Sequence, residues 1–124
     1  MTISMIDHVN IVTERLEETR AFFVDVLGLT VGPRPPFAVE GYWLYAGAKS
    51  IVHMQRARGA VLPSEASALN HFAFAVEAFD PMIARLNHHD VPYRVVTVPG
   101  TTTRQVFFHD PNGVRVEITE AVVL

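Results

Sequence analysis

Four side chains of the kind that hold metals recur in this chain at one spacing, and that recurrence restricts the fold more than any other feature. His8 lies in a strand-like run near the N-terminus, and His53 follows 45 residues later (53 − 8). His71 opens a second run of the same character, and Glu117 follows 46 residues later (117 − 71). The first pair maps onto the second with an offset of 63 or 64 residues (71 − 8; 117 − 53), about half of the 124-residue length. Self-similarity at a fixed period is the mark of a repeated supersecondary unit, so the chain reads as two copies of one unit.

Periodicity gives each copy the same order of elements. A strand rich in β-branched residues covers 5–12, and a helix over 14–27 places Leu16, Phe23, Val26 and Leu27 on one face. Gly28 is a natural helix stop. Short strands follow around 29–31, 42–46 and 50–55, with Pro33, Pro35 and Pro36 forcing a loop after the first. The second copy has a strand at 70–76, then a helix with Asp80 as N-cap, Pro81 at its first position, and Ile83 and Leu86 facing the core. Strands around 93–98, 104–108 and 114–119 complete it, and Asp110-Pro111-Asn112-Gly113 is a turn signal between the last two. The expectation is an α+β fold of two βαβββ modules in one domain, 1–124: module one 1–56, a linker at 57–69, and module two 70–124.

Strand side chains alternate between faces. His8 and Asn10 oppose Val9 and Ile11; His53 opposes Val52 and Met54; His71 opposes Phe72 and Phe74; Glu117 opposes Val116 and Ile118. The bulky apolar faces must cover the helices, so all four candidate ligands fall on the other face, where two curled mixed sheets would direct them into a shared interior. Ala73 and Ala75 beside His71 leave room there. A lone strand histidine is more often a hydrogen-bonded core or surface residue than a ligand, but an unpaired carboxylate in an apolar strand is costly, and a metal removes that cost. The joint pattern predicts one divalent metal per chain on His8, His53, His71 and Glu117. Nitrogen and oxygen donors suit Zn, Ni, Co, Mn or Fe(II). His88 and His89 end a helix and read as solvated; His109 reads as rim or structural.

Composition narrows the partners. There is no cysteine, so disulfides and thiolate ligands are excluded, which fits a cytoplasmic location. A net charge of −3 gives no reason to expect nucleic acid or an anionic membrane. No apolar run approaches the roughly 20 residues of a membrane span, and residues 1–7 lack the features of a signal peptide.

The segments "DHVNIVT" (7–13), "AFFVDVLGL" (21–29), "NHFAFAV" (70–76) and "DPNGVRVEI" (110–118) resemble the vicinal oxygen chelate superfamily. That group includes glyoxalase I, methylmalonyl-CoA epimerase, extradiol dioxygenases, fosfomycin-resistance enzymes and bleomycin-binding proteins. The resemblance covers nearly the whole chain and implies paired βαβββ modules around a metal, with His8, His71 and Glu117 at three family ligand positions. His53 falls at the fourth, usually Glu or Gln in glyoxalase I and the epimerases. Val12 stands where bacterial glyoxalase I has an Arg that helps hold glutathione, and Ala57 where it has an Asn. Asn10 and Phe107 stand where fosfomycin-resistance enzymes have Thr and Tyr.

The resemblance implies a lyase or isomerase acting on a small vicinal-oxygen substrate through a metal-stabilised enediolate, with Glu117 and His53 as its catalytic residues. If His53 ligates, two positions stay open on a six-coordinate metal and that chemistry is favoured. If it stands off as an acid–base, three stay open and Fe(II) extradiol dioxygenation is the alternative. A metal-free binding protein of the bleomycin-binder type is the alternative of another class. Strand parity nominates Trp43, Tyr45 and Phe107 as aromatic substrate contacts and Asn10, Gln105 and Arg115 as polar ones. Arg34 and Phe37 lie in the proline-rich loop, as part of a lid or as solvated surface. Related small enzymes are commonly homodimers, so a homodimer is expected, with ligands from one chain meeting those of the other.

Overall fold

A computed structural model describes residues 2–121. The chain divides after Val61 into two compact units. In the first, β1 (Val9–Thr13) leads into α1 (Leu16–Ala21), and β2 (Thr30–Gly32), β3 (Gly41–Ala46) and β4 (Lys49–Arg56) follow. Its sheet runs β1-β4-β3-β2, with β1 parallel to β4 and the other pairs antiparallel. In the second unit β5 (His71–Ala75), α2 (Asp80–His88), β6 (Arg94–Thr97), β7 (Arg104–His109) and β8 (Arg115–Thr119) build a sheet ordered β5-β8-β7-β6 with the same senses. The expected βαβββ repeat is therefore present twice. Each sheet is an open, four-stranded mixed sheet whose end strands pair on one side only, and it is not the curled sheet expected.

Alternation decides which face is buried. In β1, Ile11 and Thr13 are buried while Asn10 and Val12 are exposed. Ile11, Leu44, Val52 and Met54 of the first sheet are all at or below 5% exposure, and Leu16 and Phe23 lie buried with them in that unit's core. Burial of one such side chain contributes about 1.5–3 kcal/mol. In the second unit Phe79, Leu86, Val106, Phe108, Val116 and Ile118 form the core, and Ile83 is only half-buried.

Two helix expectations need correction. The first helix is not one α-helix over 14–27: after Ala21 the chain widens into a π-turn over Phe22–Val26. Leu27 N–H then bonds Phe22 O at 3.3 Å, and Leu29 N–H bonds Phe23 O at 3.1 Å, so the C-terminal closure is one residue wider than usual. Gly28 takes φ 83°, as its place past the helix end requires. The widening leaves Phe23 and Val26 buried and Leu27 only half-buried. The second helix is capped at Phe79 rather than Asp80. The Asp80 carboxylate instead accepts from Arg104 Nη1 at 2.8 Å, while the rest of that guanidinium holds Glu120 and lies over the Phe79 ring.

The segment read as a linker is ordered at its far end. Ser64–Ala66 form a 3₁₀ turn, and Ser64 Oγ donates to Asn70 O at 2.6 Å and accepts Arg115 N–H at 2.8 Å. In the Asp110–Gly113 turn, Asp110 Oδ1 accepts the N–H groups of Asn112 and Val114 at 2.8 and 2.9 Å, and Gly113 takes φ 80°. Among the described residues no helix is long and apolar enough to cross a membrane.

Candidate functional site

In the first unit β1 and β4 run parallel with Asn10 opposite His53, which sets His8 and His53 on one face two positions apart across the strand pair. Their rings stack at 3.8 Å, and the other ring against His53 is Trp43, its register partner on β3, at 3.9 Å and only 4° from coplanar. His53 is 8% exposed, and its Nε2 lies 3.2 Å from Ser50 Oγ. Burial lowers its pKa below the usual histidine value; His8, Lys49 and Arg34 act the same way, and Asp7 opposes them. His8 Nδ1 lies 2.8 Å from Asp7 Oδ1, and the other Asp7 oxygen accepts from Lys49. Those two partners, Lys49 first, hold the Asp7 carboxyl at about 2.

The second unit repeats the device with other residues. Ala73 lies opposite Glu117 as Asn10 lies opposite His53, so His71 and Glu117 take the same diagonal relation. His71 Nε2 is 3.2 Å from Glu117 Oε1, and the carboxylate is 8% exposed. Phe107 faces Glu117 in register, as Trp43 faces His53, and lies edge-on to His71 at 5.7 Å. Arg115 covers the Phe107 ring at 4.3 Å. His71 Nδ1 is 2.8 Å from Asn70 Oδ1, which also accepts Arg115 Nη1 at 3.1 Å.

The partners fix which histidine nitrogens are free. A carboxylate only accepts, so His8 donates to Asp7 through Nδ1–H. A guanidinium only donates, so the Asn70 atom it meets is the oxygen, and His71 likewise donates through Nδ1–H. In the neutral ring both Nε2 atoms then carry lone pairs. The His71 lone pair faces a buried carboxylate oxygen, an arrangement that repels until a cation or a proton lies between. This is the donor chemistry a divalent metal needs, with the second ring nitrogen held by a neighbour. In the first unit His8, and in the second His71 with Glu117, offer donors of this kind. His53 fits a metal less directly, because two imidazoles stacked face to face do not aim their ring edges at one point. Among the described residues no three His, Asp or Glu side chains form a metal-ready group; each unit holds one candidate pair.

The first unit also holds a cavity of about 490 Å³ lined by His8, Asn10, Arg34, Phe37, Trp43, Ser50 and His53 among others. Asn10 and Trp43 are thus placed as the strand parity implied, and the loop residues Arg34 and Phe37 line the wall. Tyr45 lies elsewhere: its hydroxyl donates to Pro33 O at 2.6 Å. Its ring lies over Gly32, on the same face as Trp43. A register shift between Leu44 and Tyr45 pairs Tyr45 with Ser50 instead of Ile51, which breaks the alternation of β4 and brings Ser50 to His53. In the second unit Phe107 and Arg115 gather around His71, while Gln105 pairs with Thr119 at 3.3 Å. His109 is exposed against Glu65, and His88 and His89 are exposed at the helix end. Sequence reasoning passed over Asp7, Asn70 and Ser50. The first two had a signal, since each candidate histidine opening a strand follows an Asp or Asn.

A sequence model of the Glyoxalase/Bleomycin resistance protein/Dioxygenase superfamily matches residues 5–118. The chain belongs to this superfamily. It is 27% identical to the uncharacterized protein YaeR of Escherichia coli (strain K12), covering 95% of this chain and 97% of that one. It is also 27% identical to Glyoxylase I 4 of Arabidopsis thaliana, over 94% of this chain and 70% of that one. Among solved structures, a putative glyoxalase family protein from Bacillus anthracis shares the fold with a TM-score of 0.82 and 24% identity, over 98% of each chain.

Proposed function

We propose that this chain is a divalent-metal-dependent enzyme of the glyoxalase type, a lyase or isomerase acting on a small substrate with two vicinal oxygens. The observation that carries the reading is the repeated pairing: a histidine whose Nδ1 is held by the preceding residue, in each unit, with His71 Nε2 turned to the buried Glu117 carboxylate. A metal held by His8, His71 and Glu117, with His53 at or beside it, would supply Lewis-acid stabilisation of negative charge developing on the substrate oxygens.

The chain's own groups do the rest. Glu117, buried beside His71, would take or return a substrate proton. His53 is held flat against Trp43, with burial favouring its neutral form, so it enters a reaction as a base. Trp43 and Phe37 give the first unit's cavity aromatic walls, and Asn10 contributes an amide to it. The Ser50 contact and the ring stack favour His53 as an acid–base beside the metal, which supports Fe(II) extradiol dioxygenation as the second reading.

The ligand pairs come from two repeats, and we propose a homodimer in which each site takes its pairs from both chains. Elemental analysis of protein purified without added metal, followed by a screen of hydroxycarbonyls and catechols, tests the function. A bound divalent ion with hydroxycarbonyl turnover is expected. Catechol cleavage would select the second reading, and neither metal nor turnover would refute both.

A further inference from the structure

The proline-rich loop puts a cation into the wall of the first unit's cavity, where the described residues give it no anion. Arg34 stands between Pro33 and Pro35, and Phe37 N–H bonds back to Pro35 O at 2.8 Å. The guanidinium reaches Val39 O through Nη2 at 2.9 Å and lies over the Phe37 ring at 5.0 Å. Gly41 makes room for it: a Cβ there would lie 2.8 Å from Arg34 Nη2 and 2.1 Å from Met54 O. The side chain is therefore held in place by loop, ring and strand.

Among the described residues no carboxylate pairs with the Arg34 guanidinium. Asp7, the cavity wall's carboxylate, is taken by Lys49 and His8, and nearby Glu40 is taken by Arg56 at 2.9 Å. Arg34 Nε is buried and, among the described residues, has no hydrogen-bond partner. The buried Nε edge is closed to a ligand, so an incoming acceptor meets the part of the guanidinium that lines the cavity, where no described carboxylate competes for it. The cavity also has one flat wall, the Trp43 indole stacked on His53 within 4° of parallel. His53 covers one face of the indole, so a planar ligand would meet the rest of the ring, which lines the cavity.

We propose that the substrate is a small planar anion, a carboxylate conjugated to a flat group, whose carboxylate is received by Arg34 while its flat part lies along Trp43. This rests on the reading of the first unit's cavity as the substrate site. Bidentate pairing of guanidinium with carboxylate gives the site both its charge and its orientation requirement.

Trp43 is the chain's one tryptophan, so its fluorescence reports the cavity directly. The full-length protein, first stripped of metal with a chelator, is titrated with benzoate and with its neutral counterpart benzamide. Benzoate should perturb Trp43 emission and bind about 10- to 100-fold more tightly than benzamide, as one charge-assisted hydrogen-bonded pair implies. Arg34→Gln should abolish that preference, and Arg34→Lys should keep part of it. The lysine variant, with circular dichroism on both, separates loss of the charge from loss of the fold. Equal binding of the two probes, or no response of Trp43 to either, would overturn the proposal. A benzoate preference that needs added Ni²⁺ and survives Arg34→Gln would also overturn it, since the carboxylate would then be on the metal, and the metal reading would stand.

Discussion

Asn70→Ala tests the site at its most specific point. The substitution removes one oxygen that accepts from His71 Nδ1 at 2.8 Å and from Arg115 Nη1 at 3.1 Å. It leaves the backbone bond from Ser64 Oγ to Asn70 O in place. His71 has a side-chain exposure of 35%, so water replaces part of what is lost and the folding cost should stay below about 1 kcal/mol. Metal affinity should suffer more. The free imidazole can then place its proton on Nε2, the nitrogen that must be bare to ligate, and the ring loses its orientation. Loss of such an outer partner lowers metal affinity about 10- to 100-fold, which is about 1.4–2.7 kcal/mol. Calorimetric titration with Ni²⁺ measures the affinity, and long-range proton–nitrogen NMR at mildly alkaline pH reads the tautomer. Asn70→Asp keeps an acceptor and should restore both. A His71 proton found on Nε2 in the unaltered protein, or an unchanged affinity in Asn70→Ala, would refute the reasoning.

Glu117→Gln should lower turnover by about 10²- to 10⁴-fold, the value of a general base, while the melting temperature changes little; equal activity at equal metal content would remove Glu117 from the mechanism. Mixing the inactive variants His8→Ala and Glu117→Ala after dissociation should partly restore activity if each site draws on two chains, because one site of each heterodimer then carries neither lesion; a mixture that stays inactive, or a monomeric mass, counts against the shared site. Asp110, 5% exposed, has its carboxyl pushed above the ordinary value of 3.8 by burial, against the pull of Asn112 and Val114. The folded state therefore binds the extra proton, so this group's contribution to stability falls as pH rises from the unfolded value through the folded one, and the penalty is complete above it. Asp110→Asn keeps an oxygen for the two turn N–H groups and removes the buried charge. Urea unfolding at acidic and neutral pH should show the variant gaining on the natural protein as pH rises, and a pH-independent difference would reject the assignment.

The sequence alone determined the repeat and the strand faces. An alternation of two places every other side chain on one face whatever surrounds it. His8, His53, His71 and Glu117 could thus be assigned to the non-core faces from Ile11, Val52, Phe72 and Val116 beside them. Parity could not bring Ser50 to the face of His53, because the register shift that does so is a property of two strands together and neither strand's own pattern records it. It also could not give the π-turn after Ala21, where burial of Phe23 and Val26 goes with one extra residue in the turn. Only the tertiary structure decided which atoms of the histidines are held and which are free. That depends on Asp7, Asn70, Lys49 and Arg115 meeting within hydrogen-bond distance. Arg115 is 45 residues from the Asn70 it bonds and Lys49 is 42 from Asp7, and no local propensity acts over such separations.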